Sequence, residues 1–331
     1  MTGSPPPIFI VGSPRSGTTL LQRILSAADE VVAMPETHFF EIAFPPLYSF
    51  QSWPIRRKIV CSTLAAGDIA RISQALGSRG VDTSALTGTE TRPEELFEHV
   101  VAAYRRRSEG SRFLEKTPNH VYYLDEIRRL FPESVILGIV RNPHDVISSM
   151  KRMIRSTKPP DRSIREYFQM WEATTRIVVG SGIPFVTYEE LVRTPRPVVA
   201  EACRICGIPF TDTLLDTYHR KNDVITPQHM DGWMKNTRRP VIDRSGKARE
   251  ELSSAELALV DHYLAASPLA ARFPPLAPGT KPGRTSLGLD LLTFLLARTR
   301  VAFHTGKRGL TTLPHRLRRR DCHLAPGTRA A

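Results

Sequence analysis

The sequence predicts an α/β protein of three layers, α/β/α, around a central parallel sheet, and three observations carry that expectation. Five short apolar runs, 8–12, 31–34, 112–115, 134–140 and 183–187, alternate with helical patterns. The runs are rich in Val, Ile, Leu and Phe, as strands buried on both faces are. The first run, Ile8-Phe9-Ile10-Val11, passes through Gly12-Ser13-Pro14-Arg15-Ser16-Gly17 straight into a helical pattern. Strand, glycine-bounded loop and helix form the unit from which parallel sheets are wound.

Helical periodicity covers 17–28, 92–108, 119–131, 143–155, 162–180, 195–206 and 253–266. Residues 1–273 therefore form the α/β domain, and 37–111 form a mostly helical cap inserted at the sheet edge. The cap opens with Phe39, Phe40, Phe44, Tyr48, Phe50 and Trp53, which suit a sugar, phenol or lipid as bound partner. Pro274, Pro275, Pro278 and Pro282 mark 274–284 as a linker. In the remaining segment, 285–331, Leu287 to Phe303 reads as an apolar or amphipathic helix, and a basic end beyond it is expected to be disordered. No internal repeat is visible.

Composition narrows the class. At 331 residues and 41% apolar content the chain is long enough for one substantial core. Four cysteines are too few and too scattered for a disulfide scaffold, and Cys203 and Cys206, on one helical pattern, read as packed thiols rather than half of a zinc site. No charged leader with an apolar core precedes the first strand, and no run of 18 apolar residues occurs, so a reducing, cytoplasmic setting is expected. The net charge of +13 is uneven: 281–331 hold eleven Lys or Arg against two Asp. Arg316, Arg318, Arg319 and Arg320, following an apolar helix, suit anionic lipid headgroups as well as a solvated end. Aromatics are not interleaved with these charges, so nucleic acid is not an expected partner.

In an open parallel sheet, ligands bind beyond the carboxyl ends of the strands, and here four strand ends deliver residues suited to anions. The first leads into the 12–17 loop, whose backbone amides and following helix N-terminus make a phosphate cradle. The loop has the G-x-x-x-x-G outline of a Walker A loop, but Thr18 stands where the nucleoside-triphosphate lysine would be, and the cation is Arg15. The second strand is followed by Glu36, the third delivers Lys116 in Glu115-Lys116-Thr117-Pro118, and the fourth delivers Arg141. Asn142 and Pro143 then make a good helix start. Ser149, seven residues after Asn142, returns to the same helix face, with Ser148 as its alternative. Two separated phosphate grips suit a nucleotide phosphorylated at two positions.

These residues resemble the PAPS-dependent sulfotransferases (PAPS is 3′-phosphoadenylyl sulfate), more closely the branch of tyrosylprotein and many bacterial enzymes. Pro14-Arg15-Ser16-Gly17-Thr18-Thr19 resembles the 5′-phosphosulfate loop. Arg141-Asn142-Pro143 through Ser148-Ser149 resembles the 3′-phosphate motif, in which the Arg and a Ser eight residues later contact that phosphate. Pro35-Glu36-Thr37, 21 residues after Arg15, is similar to the segment with the catalytic Glu, and Glu115-Lys116-Thr117-Pro118 to the one with a catalytic Lys. Val186-Thr187-Tyr188-Glu189-Glu190-Leu191 is similar to the segment whose Tyr contacts adenine. Arg244-Ser245-Gly246-Lys247 matches the late segment closing on the 3′-phosphate, with Ala248 in place of the family's Trp.

The resemblance spans roughly 7–266 and implies a P-loop-type fold. It further implies PAPS as co-substrate and sulfuryl transfer to a hydroxyl or amine of a carbohydrate, lipid, phenol or peptide. Glu36 would serve as base, with Arg15 and Lys116 stabilising the leaving phosphate. Ser16, Gly17, Thr18, Thr19, Arg141, Ser149, Tyr188 and Lys247 would join Arg15 in binding the nucleotide. Fixed cations replace a metal in this scheme, and His38, His120 and His144 show no ligand spacing, so no metal is expected. The competing reading is a P-loop kinase or NTPase using Mg-ATP. The absent Lys at 18, and the lack of an Asp closing the 134–140 strand, oppose it. A nucleotide-binding protein without turnover is the third reading, opposed by the presence of both Glu36 and Lys116.

Overall fold

The computed structural model describes residues 5–46, 57–78, 83, 84, 86, 88, 90–105, 112–157, 162–219, 240–296 and 321–326. Its centre is β1 (Ile8–Gly12), whose Ile8, Phe9, Ile10 and Val11 are fully buried. Parallel neighbours lie on both sides: β6 (Arg112–Lys116) pairs Phe9 with Glu115, and β7 (Val135–Val140) pairs Ile10 with Leu137. Outside these run β2 (Val31–Ala33), parallel to β6, and β8 (Phe185–Thr187), parallel to β7. The order is β2-β6-β1-β7-β8. All five strands predicted from apolar runs are present within about two residues of their expected bounds.

Alternation along β1 divides the interior into two cores, the physical meaning of three layers. Phe9 and Val11 face a core with Phe97 of α4 (Pro93–Arg105) and Trp171 of α7 (Ile164–Gly180). Ile8 and Ile10 face the other, with Leu21 and Ile24 of α1 (Thr18–Leu25) and with Cys203 and Cys206 of α9 (Pro195–Cys206). Those two thiols are buried and free, as their reading as packed residues requires, and burial pushes them up to about 11 and 12. At Gly138 in β7 an added Cβ would meet Val178 Cγ1 of α7 at 2.6 Å, so this glycine sets the close approach of helix to sheet.

The insertion between β2 and β6 holds α2 (Phe39–Ala43), α3 (Ala66–Gly77) and α4, with β3 (Arg57–Cys61), β4 (Leu64–Ala65) and β5 (Glu90–Thr91). Three of its aromatics differ from expectation. Phe39, Phe40 and Phe44 are fully buried, and Phe39 lies edge-on to Phe97 with centroids 4.9 Å apart. They complete the hydrophobic core instead of forming an acceptor wall, because a helix as short as α2 docks only by burying its apolar side chains. Tyr48, Phe50 and Trp53 lie outside the described residues.

The C-terminal segment also departs from its reading as a helix with a disordered end. Residues 284–296 are helical. The rest of the expected 287–303 helix, and the arginines at 316 and 318–320, lie outside the described residues. Residues Cys322–Pro326 form β9, antiparallel to β3, with Cys61 directly opposite Cys322 and bonded to it through sulfur. This pair closes 261 residues of chain, a relation that local spacing does not reveal. Disulfides persist mainly in oxidising surroundings, so this bond stands against the reducing setting expected from the sequence. Among the described residues no helix is long and apolar enough to cross a membrane.

Candidate active site

The loop from β1 to α1 is shaped by backbone that few residues adopt. Arg15 has φ 71°, uncommon for a side chain with a Cβ, and Gly17 has φ 97°. A Cβ on Gly17 would meet Tyr188 Cδ2 at 2.6 Å, so glycine is required for space as well as for conformation. Ser16 N donates to Ser13 O at 3.1 Å, closing the turn. Strain held at one loop residue marks a place where function sets the conformation.

Around this loop, cations gather. Arg15 Nε donates to Ser149 Oγ of α6 (Pro143–Thr157) at 3.0 Å. Arg141, at the end of β7, donates to Arg15 O at 3.3 Å and to Arg244 O at 3.1 Å. Its guanidinium lies 3.9 Å from the centre of the Tyr188 ring, and Trp171 Nε1 fixes its carbonyl at 2.9 Å. Asp145, one turn on, accepts from Gly246 N at 2.8 Å and Ala248 N at 3.0 Å, drawing the segment that carries Lys247 to the rim. Burial, then the charges of Arg152 and Arg141, lower the pKa of Arg15. Two buried polar atoms here, Ser16 Oγ and Arg141 Nε, have no hydrogen-bond partner among the described residues. Excess positive charge and unused donors fit an anionic ligand.

On the other side of the loop stands an ion pair. Glu36 accepts from Lys116 Nζ, which also donates to Thr19 Oγ1 at 3.1 Å. Lys116 is buried, and Glu36 is 27% exposed to the cavity. His38, in left-handed backbone at φ 51°, places Nε2 3.6 Å from Glu36 and Nδ1 2.9 Å from Glu41. Asn119 Nδ2 donates to the second oxygen of Glu41 at 3.1 Å. Burial raises the Glu36 carboxyl, but Lys116 and His38 outweigh it and hold Glu36 well below the usual carboxylate range. Burial likewise disfavours the His38 imidazolium, yet its hydrogen bonds to Glu36 and Glu41 prevail and raise it to about 9.

A raised histidine pKa has a measurable consequence. The stability it contributes is fully present below the ordinary value of 6.5 and is lost as pH rises through about 9. Melting temperature is therefore expected to fall across that window in the wild type, and His38→Gln is expected to flatten the fall. A slope unchanged by the substitution would place its origin elsewhere.

Arg15, Gly17, Thr18, Thr19, Glu36, Arg141, Ser149, Tyr188 and Lys247 all line one cavity of about 310 Å³. Ser16 is buried within the loop, and Lys116 lies behind the cavity, contacting Glu36 and Thr19 there. Of the two serines weighed from the sequence, Ser149 meets Arg15, whereas Ser148 donates to Glu251. Asp145, Arg152, Arg244, Glu251 and His38 also line the cavity, and the sequence reading gave none of them a role there. Asp145 follows Arg141 by four and Arg152 follows Ser148 by four, so helical spacing was the available signal for both. Glu251 carried no local signal, and Arg244 was marked only as the first residue of the 244–247 segment.

The sheet order and the loop after β1 define a P-loop-type α/β protein with an anion cavity at its strand ends. The chain belongs to the sulfotransferase family: residues 6–212 match the family model described as "Sulfotransferase family". It is 25% identical over 219 residues to Protein-tyrosine sulfotransferase 2 of Gallus gallus, covering 63% of this chain and 53% of that protein. It is 27% identical over 150 residues to Nodulation protein NoeE of Sinorhizobium fredii, covering 45% of this chain and 32% of the relative. An uncharacterised protein of Aquifex aeolicus is 25% identical over 237 residues, 66% of this chain and 28% of its own length. The chain thus spans about half or less of the length of these three relatives. Among solved structures, the sulfotransferase domain from the curacin biosynthetic pathway shares the fold at TM-score 0.50 and 20% identity, over 79% of this chain and 98% of that one.

Proposed function

We propose that the protein transfers a sulfuryl group from PAPS to a hydroxyl or amine of an acceptor such as a carbohydrate, lipid, phenol or peptide. The observation that carries this reading is the doubled anion grip: a phosphate loop whose Arg15 meets Ser149 through its side chain and Arg141 through its carbonyl. When bound, PAPS supplies an activated sulfuryl group on its 5′-phosphate. The loop amides with Ser16, Gly17, Thr18 and Thr19 hold that end. Arg141, Ser149 and Lys247 hold the 3′-phosphate, with Tyr188 toward the adenine.

Glu36 takes the acceptor's proton. A carboxylate held this low by Lys116 and His38 is a weak base in the resting enzyme. It gains basicity as Lys116 turns to the negative charge growing on the leaving phosphate, with Arg15 beside it. Less charge accumulates on a transferring sulfuryl group than on a γ-phosphoryl group, so fixed cations serve as the clamp without a metal. Calorimetric titration with 3′-phosphoadenosine 5′-phosphate (PAP) and with ATP, each with and without Mg²⁺, tests the assignment. Tight metal-independent binding of PAP is expected; preference for Mg-ATP would hand the site to a kinase.

A second proposed reading is peripheral contact with an anionic membrane, and it rests on the exposed face of the 284–296 helix. Asp290 is buried and accepts from Ile164 N at 2.6 Å and Arg165 N at 3.1 Å, anchoring one helix face to α7. Leu289, Leu291, Leu292, Leu295 and Leu296 are exposed. In sequence the basic residues from Arg298 to Arg320 follow them. Sedimentation with phosphatidylserine-containing vesicles, and not with phosphatidylcholine alone, is the expected result; equal recovery with both would overturn it.

A further inference from the structure

We propose that Glu115, buried behind the cavity, is the positioning residue that holds Glu36 and Lys116 in register. The inference rests on the reading of that pair as proton acceptor and leaving-group cation. Its basis is one carboxylate oxygen with three donors. Glu115 Oε1 accepts from Thr37 N at 3.3 Å, Thr37 Oγ1 at 2.9 Å and Thr117 Oγ1 at 2.6 Å. Thr37 directly follows Glu36, and Thr117 directly follows Lys116. A single buried side chain therefore grips the residue beside each of the two reacting groups.

The geometry follows from the strand register. β6 lies between β1 and β2, with Leu114 opposite Ala33, and Met34 N extends the ladder to Leu114 O at 2.9 Å. Successive residues of a strand point to opposite faces. Lys116 therefore turns to the face that holds Thr19, and Glu115 to the face where the loop after β2 enters α2. Beyond Met34 no ladder bond fixes that loop, and the Glu115 carboxylate takes over. His38 N donates to Thr117 Oγ1 at 3.3 Å and Phe39 N to Thr37 Oγ1 at 3.1 Å, so the strained His38 backbone hangs on the same two threonines.

The second oxygen has no hydrogen-bond partner among the described residues. Glu115 Oε2 lies 2.9 Å from His120 Nδ1, and both side chains are fully buried. Burial alone would raise the carboxyl, but His120 and the threonine hydroxyls outweigh it and keep it below its ordinary value. A charged acceptor holds hydroxyl and amide donors about twice as strongly as a neutral one. A buried carboxylate whose one oxygen takes donors from both loops restrains both loops at once.

The test reads turnover as PAP released from PAPS, with water and a panel of phenols as acceptors, beside calorimetric affinity for PAP and the melting temperature. Glu115→Ala is expected to lower turnover about 10–100-fold through misplacement of the reacting groups. PAP affinity is expected to stay within about twofold, because the grips at Arg15 and Arg141 are untouched. Glu115→Gln, which keeps the shape and one acceptor, is expected to recover part of the loss. In a Glu36→Gln background, Glu115→Ala is expected to cost much less than in the wild type, since only its hold on Lys116 is then left to lose. Losses that multiply in the two backgrounds, or PAP affinity falling in step with turnover, would overturn the proposal. Should Glu115→Ala not fold, Thr37→Val removes a single donor, and normal turnover in that variant sinks the idea. Normal turnover in Glu36→Gln alone would instead refute the reading of Glu36 on which the inference rests.

Discussion

Glu36→Gln is expected to lower turnover by about 10²–10⁴-fold, the range that a positioned general base contributes. The substitution keeps the size of the side chain and an oxygen for Lys116, while removing the ability to take a proton. Nucleotide affinity is expected to change by less than about threefold, because Glu36 touches none of the phosphate-binding cations except through Lys116. One side effect needs a control. Lys116 is buried and loses its counter-ion in this variant, retaining Thr19 Oγ1 as partner, so melting temperature should be recorded alongside the kinetics. Loss of turnover with PAP binding intact assigns proton transfer to Glu36. Unchanged turnover would move the role to another group, and His38, 3.6 Å away, is the first to examine.

How far the sequence reaches is clear from particular residues. Ile8 to Val11 and Val135 to Val140 are legible because a strand buried on both faces must be apolar throughout, a local signal. Arg15, Glu36, Lys116 and Arg141 stand out because each interrupts or follows such a run with a charge. Lys58 shows the limit. Nothing in its local sequence marks it, yet it is fully buried on β3, donating to Tyr122 O at 3.0 Å and paired with Glu126. The pairing of β3 with β9, the Cys61–Cys322 bond and the contact of Glu251 with Ser148 share the same property. Each joins segments far apart in the chain, and the identity of one partner carries no trace of the other. Glu115 is the instructive intermediate. Its place in the Glu115-Lys116-Thr117-Pro118 motif is visible in sequence, but its hold on Thr37 appears only once β6 and β2 are set side by side.

Arg141→Ala is expected to weaken PAP binding by about 10–150-fold, the worth of a charge-assisted hydrogen bond to a phosphate. Binding of adenosine 5′-monophosphate, which lacks the 3′-phosphate, is expected to weaken by no more than about threefold. The comparison matters because Arg141 does two things at once. It offers an unpaired Nε to a ligand, and it braces the loop through Arg15 O and the rim through Arg244 O. If bracing were its whole role, both nucleotides would suffer alike, since the 5′-phosphate loop would loosen for each. A selective loss isolates direct contact with the 3′-phosphate. Arg141→Lys sharpens the distinction: it keeps the charge but loses the planar fork, which here spans two carbonyls and a tyrosine ring. If a point charge suffices, Arg141→Lys should restore most of the discrimination between the two nucleotides. If the fork is required, the variant should resemble Arg141→Ala, and the second grip would then depend on guanidinium geometry as much as on charge.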